Sequence, residues 1–415
     1  MKDPSPRLLL VAICVAEVIG MAAFATFPSL VPVFQPEWEL NNTEVGWISG
    51  VYYAGYVVAV PVLVSLTDRM DARRIYLACM AVSAISALGF AFLAQGLWTG
   101  SLWRFLQGVG LAGTYMPGLK ALTDRLPEES HSRGVAFYTS SFGIGSSLSF
   151  LFAGEIEAVL DWRWAFGLSA IGPALAFVLA AVVLRPRAPV APRSATALLD
   201  FRPVLRNRRV IGYTLAYCVH NAELFVLRSW VVAYLVFSMS LQAADTAGSM
   251  LRATVIATLA GLIGMPASVL GNELARRIGR PPMLLAAMSL SAVVAIVIGF
   301  GAALPYTVVV ALVLVYGFLV TADSATITAG VVEASDPDLR GMTMAVHAMI
   351  GFIGSTVGPI LFGVVLDLGG GGKSQFAWGL SFTVIAALLM LGPLFVYTLG
   401  RDGGGRQGGG GTSAR

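Results

Sequence analysis

The sequence predicts an all-α membrane protein of twelve transmembrane helices, arranged as two six-helix bundles. Three observations carry this prediction. Charged residues make up only 12% of the 415 residues and hydrophobic ones 57%, against roughly 25% charged in soluble domains. Apolar runs of about 20 residues, the length that crosses roughly 30 Å of hydrocarbon, recur along the whole chain. The punctuation of the first six runs returns in the second six.

The runs are continuous rather than alternating, which selects helices over a closed barrel. Spans are expected at 8–34, 45–66, 75–95, 98–121, 134–156 and 162–184, and again at 210–237, 249–272, 282–302, 305–330, 341–365 and 376–399. The first run is too long for a signal-peptide core and contains Glu17, so it reads as a retained span. The chain therefore divides into a bundle over 1–184, a basic, proline-rich cytoplasmic linker over 185–209, a second bundle over 210–400, and a glycine-rich tail over 401–415 expected to be disordered.

The net charge of +4 is unevenly placed. Lysine and arginine fill alternate loops: Lys2 and Arg7; Arg69, Arg73 and Arg74; Lys120, Arg125 and Arg133; the linker; Arg276, Arg277 and Arg280; Arg340; and the tail. Only Arg163 and Lys373 fall in the intervening loops. By the positive-inside rule this puts both termini on the cytoplasmic side; the expected location is the bacterial inner membrane, as a multi-pass protein. Topology thus accounts for the basic balance without a nucleic-acid partner. Cys14, Cys79 and Cys218 lie within apolar runs at spacings that suit neither a disulfide framework nor a zinc site.

Ionisable residues inside spans are functional candidates by default. Glu17 lies about 14 Å into span 1 at 1.5 Å per residue. Arg104 enters span 4 from the other side to a similar depth, so a Glu17–Arg104 pair is expected, and such a pair could take up and release a proton as access alternates. Span 7 carries His220, Asn221, Glu223 and Arg228, with His220 and Glu223 on one helix face. Arg228 and Arg252 of span 8 could face one apolar cavity and suit a carboxylate or oxyanion; snorkelling to the interface explains them equally. Asp323 and His347 lie in the inner half of spans 10 and 11. Met342, Met344 and Met349 flank His347 without sharing one helix face, so no metal is expected. Tyr52, Tyr53 and Tyr56 line the cavity or simply pack.

No phosphate-cradling G-x-x-x-x-G-K-[ST] loop is present, and no nucleophile–base constellation. Neither ATP-driven transport, nor an enzyme, nor a cofactor is expected.

Three signatures carry a family resemblance. The loop Leu66-Thr67-Asp68-Arg69-Met70-Asp71-Ala72-Arg73-Arg74 matches G-x-L-a-D-r-x-G-r-k at Asp68, Arg69 and Arg73, with Val64 and Asp71 in place of the glycines. Span 4 holds Arg104-Phe-Leu-Gln107-Gly108-Val-Gly110-Leu-Ala112-Gly113, which fits R-x-x-Q-G-x-g-x-A. Asp161-Trp162-Arg163-Trp164 with Phe166 adds a W-R-x-x-F element, explained by an interfacial aromatic belt. On these residues the chain resembles the major facilitator superfamily over about 7–400. The resemblance implies a six-plus-six fold with a solute site between the halves. It also implies that Asp68 faces the N-terminus of span 11, after Arg340-Gly341, and latches the inner gate. Arg104 and Gln107 would act in coupling or gating, while Gly108, Gly110 and Ala112 allow close helix approach.

Span 5 reads Gly143-Ile-Gly145-Ser-Ser-Leu-Ser, without the proline of drug antiporters; Gly354-Ser-Thr-Val-Gly358-Pro359 appears in span 11 instead. The expected function is secondary transport of a small organic or inorganic anion, coupled to protons, by a monomer in the lipid bilayer. A proton-coupled drug exporter is the alternative within the class, and a non-transporting sensor or assembly factor the alternative outside it.

Overall fold

The computed structural model describes residues 5–187, 201–242 and 249–399. Most of the expected linker, 188–200, and the tail expected to be disordered lie outside the described residues. Span 1 is built from α1 (Pro6–Gly20), α2 (Thr26–Ser29) and α3 (Val31–Glu37). Then come α4 (Asn42–Leu66), α5 (Ala72–Leu93), α6 (Leu97–Thr123) and α7 (His131–Val159), and span 6 consists of α8 (Trp162–Ser169) and α9 (Ile171–Val183). A short α10 (Arg202–Arg206) leads into α11 (Arg208–Ser240), α12 (Ser249–Ile278) and α13 (Arg280–Phe300). Span 10 is α14 (Tyr306–Ala322) with α15 (Ser324–Ala334), span 11 is α16 (Arg340–Leu368), and span 12 is α17 (Gln375–Leu389) with α18 (Leu391–Leu399).

Among the described residues, ten helical passages are long and apolar enough to cross a membrane. The two that complete the twelve are the broken span 1 and α6, which carries Arg104. Outward side chains such as Phe92 and Val182, 74% and 69% exposed, are what a lipid-facing surface requires.

Span 1 was expected to be continuous and is not. Pro28 lacks the N–H that would bond the Phe24 carbonyl and its ring crowds that position, so the helix unwinds over 21–25. Neighbours repair the break. The Ser149 hydroxyl donates to the Ala22 carbonyl at 2.8 Å and accepts from the Ala25 N–H at 2.8 Å. Pro173 and Pro393 likewise follow the breaks in spans 6 and 12.

Close approach follows the glycine pattern of span 4. A Cβ on Gly108 would strike the carbonyl oxygen of Tyr52 in α4, so α4 and α6 touch backbone to backbone. Between the bundles, α4 packs on α16 and α7 on α12. A Cβ on Gly46 would strike the Pro359 carbonyl of the other bundle. At the face opposite the N-terminus, the Asp367 carboxylate of α16 receives hydrogen bonds from Asn42 and Thr43 of α4. The bundles are joined there.

At the other face the expected latch is not made. Among the described residues Asp68 has no side-chain hydrogen bond or ion pair with the start of α16. Asp71, the residue in place of a motif glycine, holds the network instead. It caps α5 through the Arg73 N–H at 3.0 Å, pairs with Arg125 at the end of α6 at 2.8 Å, and accepts the Arg187 N–H at 2.7 Å. Burial pushes its carboxyl up, but these hydrogen bonds outweigh it and hold the carboxyl below the usual range. Arg73 of the motif also turns inward within its own bundle, donating to the Leu184 and Ala181 carbonyls at the end of span 6.

Candidate functional site

Glu17 is fully buried in α1. The expected Glu17–Arg104 pair is absent. The hydroxyl of Tyr138, on α7, lies 2.8 Å from Glu17 Oε2 and 2.8 Å from the Thr114 carbonyl oxygen. Arg104 points elsewhere because the break in span 1 frees a carbonyl for it. One guanidinium nitrogen approaches the Phe24 carbonyl at 3.5 Å and donates to Gln107 Oε1 at 2.7 Å. Its Cζ lies 4.1 Å from the Tyr52 ring centroid, a cation–π distance. Arg104 Nε and Nη2 and Gln107 Nε2 have no hydrogen-bond partner, which is uncommon for buried polar atoms.

In the second bundle α11 supplies most of the polar groups. Glu223 accepts from the Ser291 hydroxyl of α13 at 2.8 Å. His220 Nδ1 lies 2.7 Å from Asp323 Oδ1, at the point where α14 gives way to α15. Tyr217, one turn before His220, lies between the two imidazoles, with ring centroids 4.0 Å from His347 and 5.7 Å from His220. Asn221 and Tyr217 both face Gly351 of α16, where a Cβ would collide with them. The helix register that puts His220 and Glu223 on one face therefore places them together, and Asp323 and His347 join from spans 10 and 11.

The two groups meet at an aromatic seam. Tyr53 packs on Phe225 at 4.4 Å and Tyr56 stacks on Phe352 at 3.9 Å between centroids. Arg228 Cζ lies 5.5 Å from Phe24 and 5.4 Å from Phe225, and its Nη1 is buried without a partner. Phe24 in turn meets Tyr52 at 5.6 Å. Arg104 and Arg228, one from each bundle, thus border the same ring cluster.

Arg252 was expected as the second cation. It is exposed, which agrees with the alternative of snorkelling to the interface, and Arg104 borders the ring cluster instead. Of the two readings of the tyrosines, cavity lining or packing, Tyr56 packs in the seam, and Tyr52, also buried there, borders the small space beside Gln107. The spaces left beside Arg228 and beside Gln107 are about 30 and 20 Å³, room for a water rather than a solute. A larger groove of about 950 Å³ runs between α1 and α7, lined by Arg7, Leu10, Cys14, Val18, Arg133 and Ser141 among others.

The aromatic-belt reading of Trp162 also changes. Its ring is buried and its Nε1 faces both Glu37 oxygens at 2.8–2.9 Å, whereas Trp164 is 55% exposed. The residues that sequence reasoning missed are Tyr138, Tyr217, Ser291, Phe24, Phe225, Phe352 and Asp367. Tyr217 had a signal, its spacing of three from His220; the others show theirs only when distant helices meet.

Among the described residues, twelve helical passages in two bundles, with buried charges and with breaks in spans 1 and 10, make the architecture of a polytopic membrane protein. The chain belongs to the Major Facilitator Superfamily, whose family model matches residues 13–322 and 224–412. It is 28% identical over 152 residues to the probable sphingolipid transporter spinster homolog 1 of Arabidopsis thaliana, covering 37% of this chain and 30% of that protein. It is 29% identical over 157 residues to the uncharacterized MFS-type transporter YcaD of Escherichia fergusonii, covering 37% and 41%. The match spans under half the length of these curated relatives. Among solved structures, the fold resembles a bacterial homolog of the human lysosomal transporter spinster, with TM-score 0.77 and 15% identity over 96% of this chain and 97% of that one. It also resembles the nucleoside transporter NupG, with TM-score 0.72 and 14% identity over 95% and 99%. At these identities the likeness is one of fold. The family consists of transporters, and the chain is not an enzyme.

Proposed function

We propose that the chain is a proton-coupled secondary carrier of a small organic or inorganic anion. It works by alternating access as a monomer in the bacterial inner membrane, with both termini cytoplasmic. The observation that carries the reading is the pair Arg104 and Arg228. Each borders the same aromatic cluster from its own bundle and keeps at least one guanidinium donor unsatisfied. Guanidinium forks match carboxylates and oxyanions, and two forks from opposite bundles close on one anion only when the bundles come together. The small spaces present mean that the solute enters after the bundles part.

Glu17 is the proton site in this reading. Tyr138 has one hydroxyl proton and two oxygens at 2.8 Å. A protonated Glu17 can donate to the phenol oxygen while the phenol donates to the Thr114 carbonyl, so the site accommodates the acid form. Glu223, with Ser291, stands in the corresponding span of the second bundle, and His220 with Asp323 supplies a further titratable pair.

Uptake into proteoliposomes under an imposed pH gradient, across carboxylates, phosphate, sulfate, nucleosides and cationic drugs, tests this. Gradient-driven flux of an anion supports it. Flux of cationic drugs alone overturns it in favour of a drug exporter. Tight binding with no counterflow overturns it in favour of a sensor. A second reading, an amphipathic anion with a long apolar chain, is favoured by the α1–α7 groove and by the relative named a probable sphingolipid transporter. A lysolipid arm in the same assay separates the two.

A further inference from the structure

We propose that Asp367 is the gate residue of the face opposite the N-terminus. It closes that face by capping the N-terminus of α4 from the other bundle. The first turn of any helix leaves backbone N–H groups without intrahelical partners. In α4 a local capping box meets part of this need. Asn41 Oδ1 accepts the Glu44 N–H at 2.8 Å, and Glu44 Oε2 accepts the Asn41 N–H at 2.9 Å. The N–H groups of Asn42 and Thr43 remain, and Asp367 takes both. Its Oδ1 accepts the Asn42 N–H at 3.2 Å and the Asn42 side-chain amide at 2.7 Å. Its Oδ2 accepts the Thr43 N–H at 2.7 Å and the Thr43 hydroxyl at 2.6 Å. Four donors converge on one carboxylate, and the positive end of the α4 dipole adds to the attraction.

All four bonds cross between bundles, so this face cannot open while they hold. The geometry also mirrors the latch expected at the other face. α4 and α16 run antiparallel. Asp367 stands at the C-terminal end of α16 and caps the start of α4, whereas Asp68 stands just past the end of α4 and would cap the start of α16. In this conformation the first is engaged, and the second makes no hydrogen bond or ion pair with α16 among the described residues. The two carboxylates are then alternative gates at opposite ends of one helix pair, and rocking of the bundles exchanges one for the other. This rests on alternating access alone and holds whatever the solute is.

Spin-label distances in nanodiscs, with no solute added, test it. One pair, at Gln95 and Lys373, reports the Asp367 face, and another, at Arg74 and Asp338, reports the opposite face. Asp367→Ala is expected to shift the population ratio about tenfold, the scale of one or more charge-assisted hydrogen bonds, lengthening the first distance and shortening the second. Thr43→Ala removes one donor and keeps the carboxylate, so a smaller shift in the same direction is expected. Unchanged distributions in Asp367→Ala overturn the proposal. Should that variant fail to insert, unchanged distributions in Thr43→Ala overturn it instead.

Discussion

Tyr138 reaches from α7 to Glu17 in α1, its oxygen 2.8 Å from the carboxyl Oε2 and as close to the Thr114 carbonyl. When Glu17 is protonated it can donate to the phenol oxygen while the phenol donates to the Thr114 carbonyl. The buried acid of span 1 is therefore tied to α6 and α7 together, in a place where a proton can be held away from water and released when the helices move.

Glu17→Gln is expected to retain exchange of solute at equilibrium, within about twofold of wild type, and to lose uphill accumulation driven by a proton gradient. Counterflow and gradient-driven uptake, measured on the same vesicles, separate the two. Wild-type accumulation by this variant would remove Glu17 from coupling and transfer the role to Glu223.

Arg228→Lys keeps the charge but loses the planar fork, so anion affinity is expected to fall about tenfold, with Arg104→Lys falling at least as far because Arg104 is wholly buried. Titration calorimetry on the purified protein reads this directly. Arg252→Lys, at an exposed position, is the control expected to bind as wild type. Equal losses at Arg252 and Arg228 would contradict the seam as the binding site.

Asp71→Asn preserves the N-cap of α5 but discards the carboxylate that Arg125 and two backbone N–H groups stabilise. A carboxyl held below its unfolded value stabilises the fold fully above that unfolded value, about pH 4. The contribution disappears as pH drops through the lower, folded value. The apparent melting temperature of the variant should therefore trail wild type near neutral pH, and the gap should close below about pH 4. A gap that persists or widens in acid would show that the carboxylate charge is not its source.

Gly108→Ala puts a methyl group against the Tyr52 carbonyl. Overpacking of this kind costs about 1–3 kcal/mol, and it also displaces Tyr52 from under Arg104, so both thermal stability and transport should fall. At Gly341, in the first turn of α16, a Cβ meets nothing within 4 Å. Gly341→Ala should melt at or slightly above wild type. Comparable losses in both variants would argue against the close α4–α6 contact.

The sequence alone determined the number of spans, their limits to within about six residues, and most of the spans that carry buried charge. These are local properties. Hydropathy is read over one helix length, and an ionisable residue within an apolar run is visible by itself. The face shared by His220 and Glu223 and the close approach at Gly108 were also legible, since helical periodicity and residue size suffice. The Pro28 break was within reach of the same reasoning. Only the tertiary structure decided which groups meet. Arg104 lies over Tyr52 instead of pairing with Glu17, Arg228 shares its ring cluster with Arg104 instead of Arg252, and Asp367 rather than Asp68 is engaged. Such partners depend on how each helix is rotated and where distant helices cross, and no window along the chain contains both halves of a contact between residues 42 and 367.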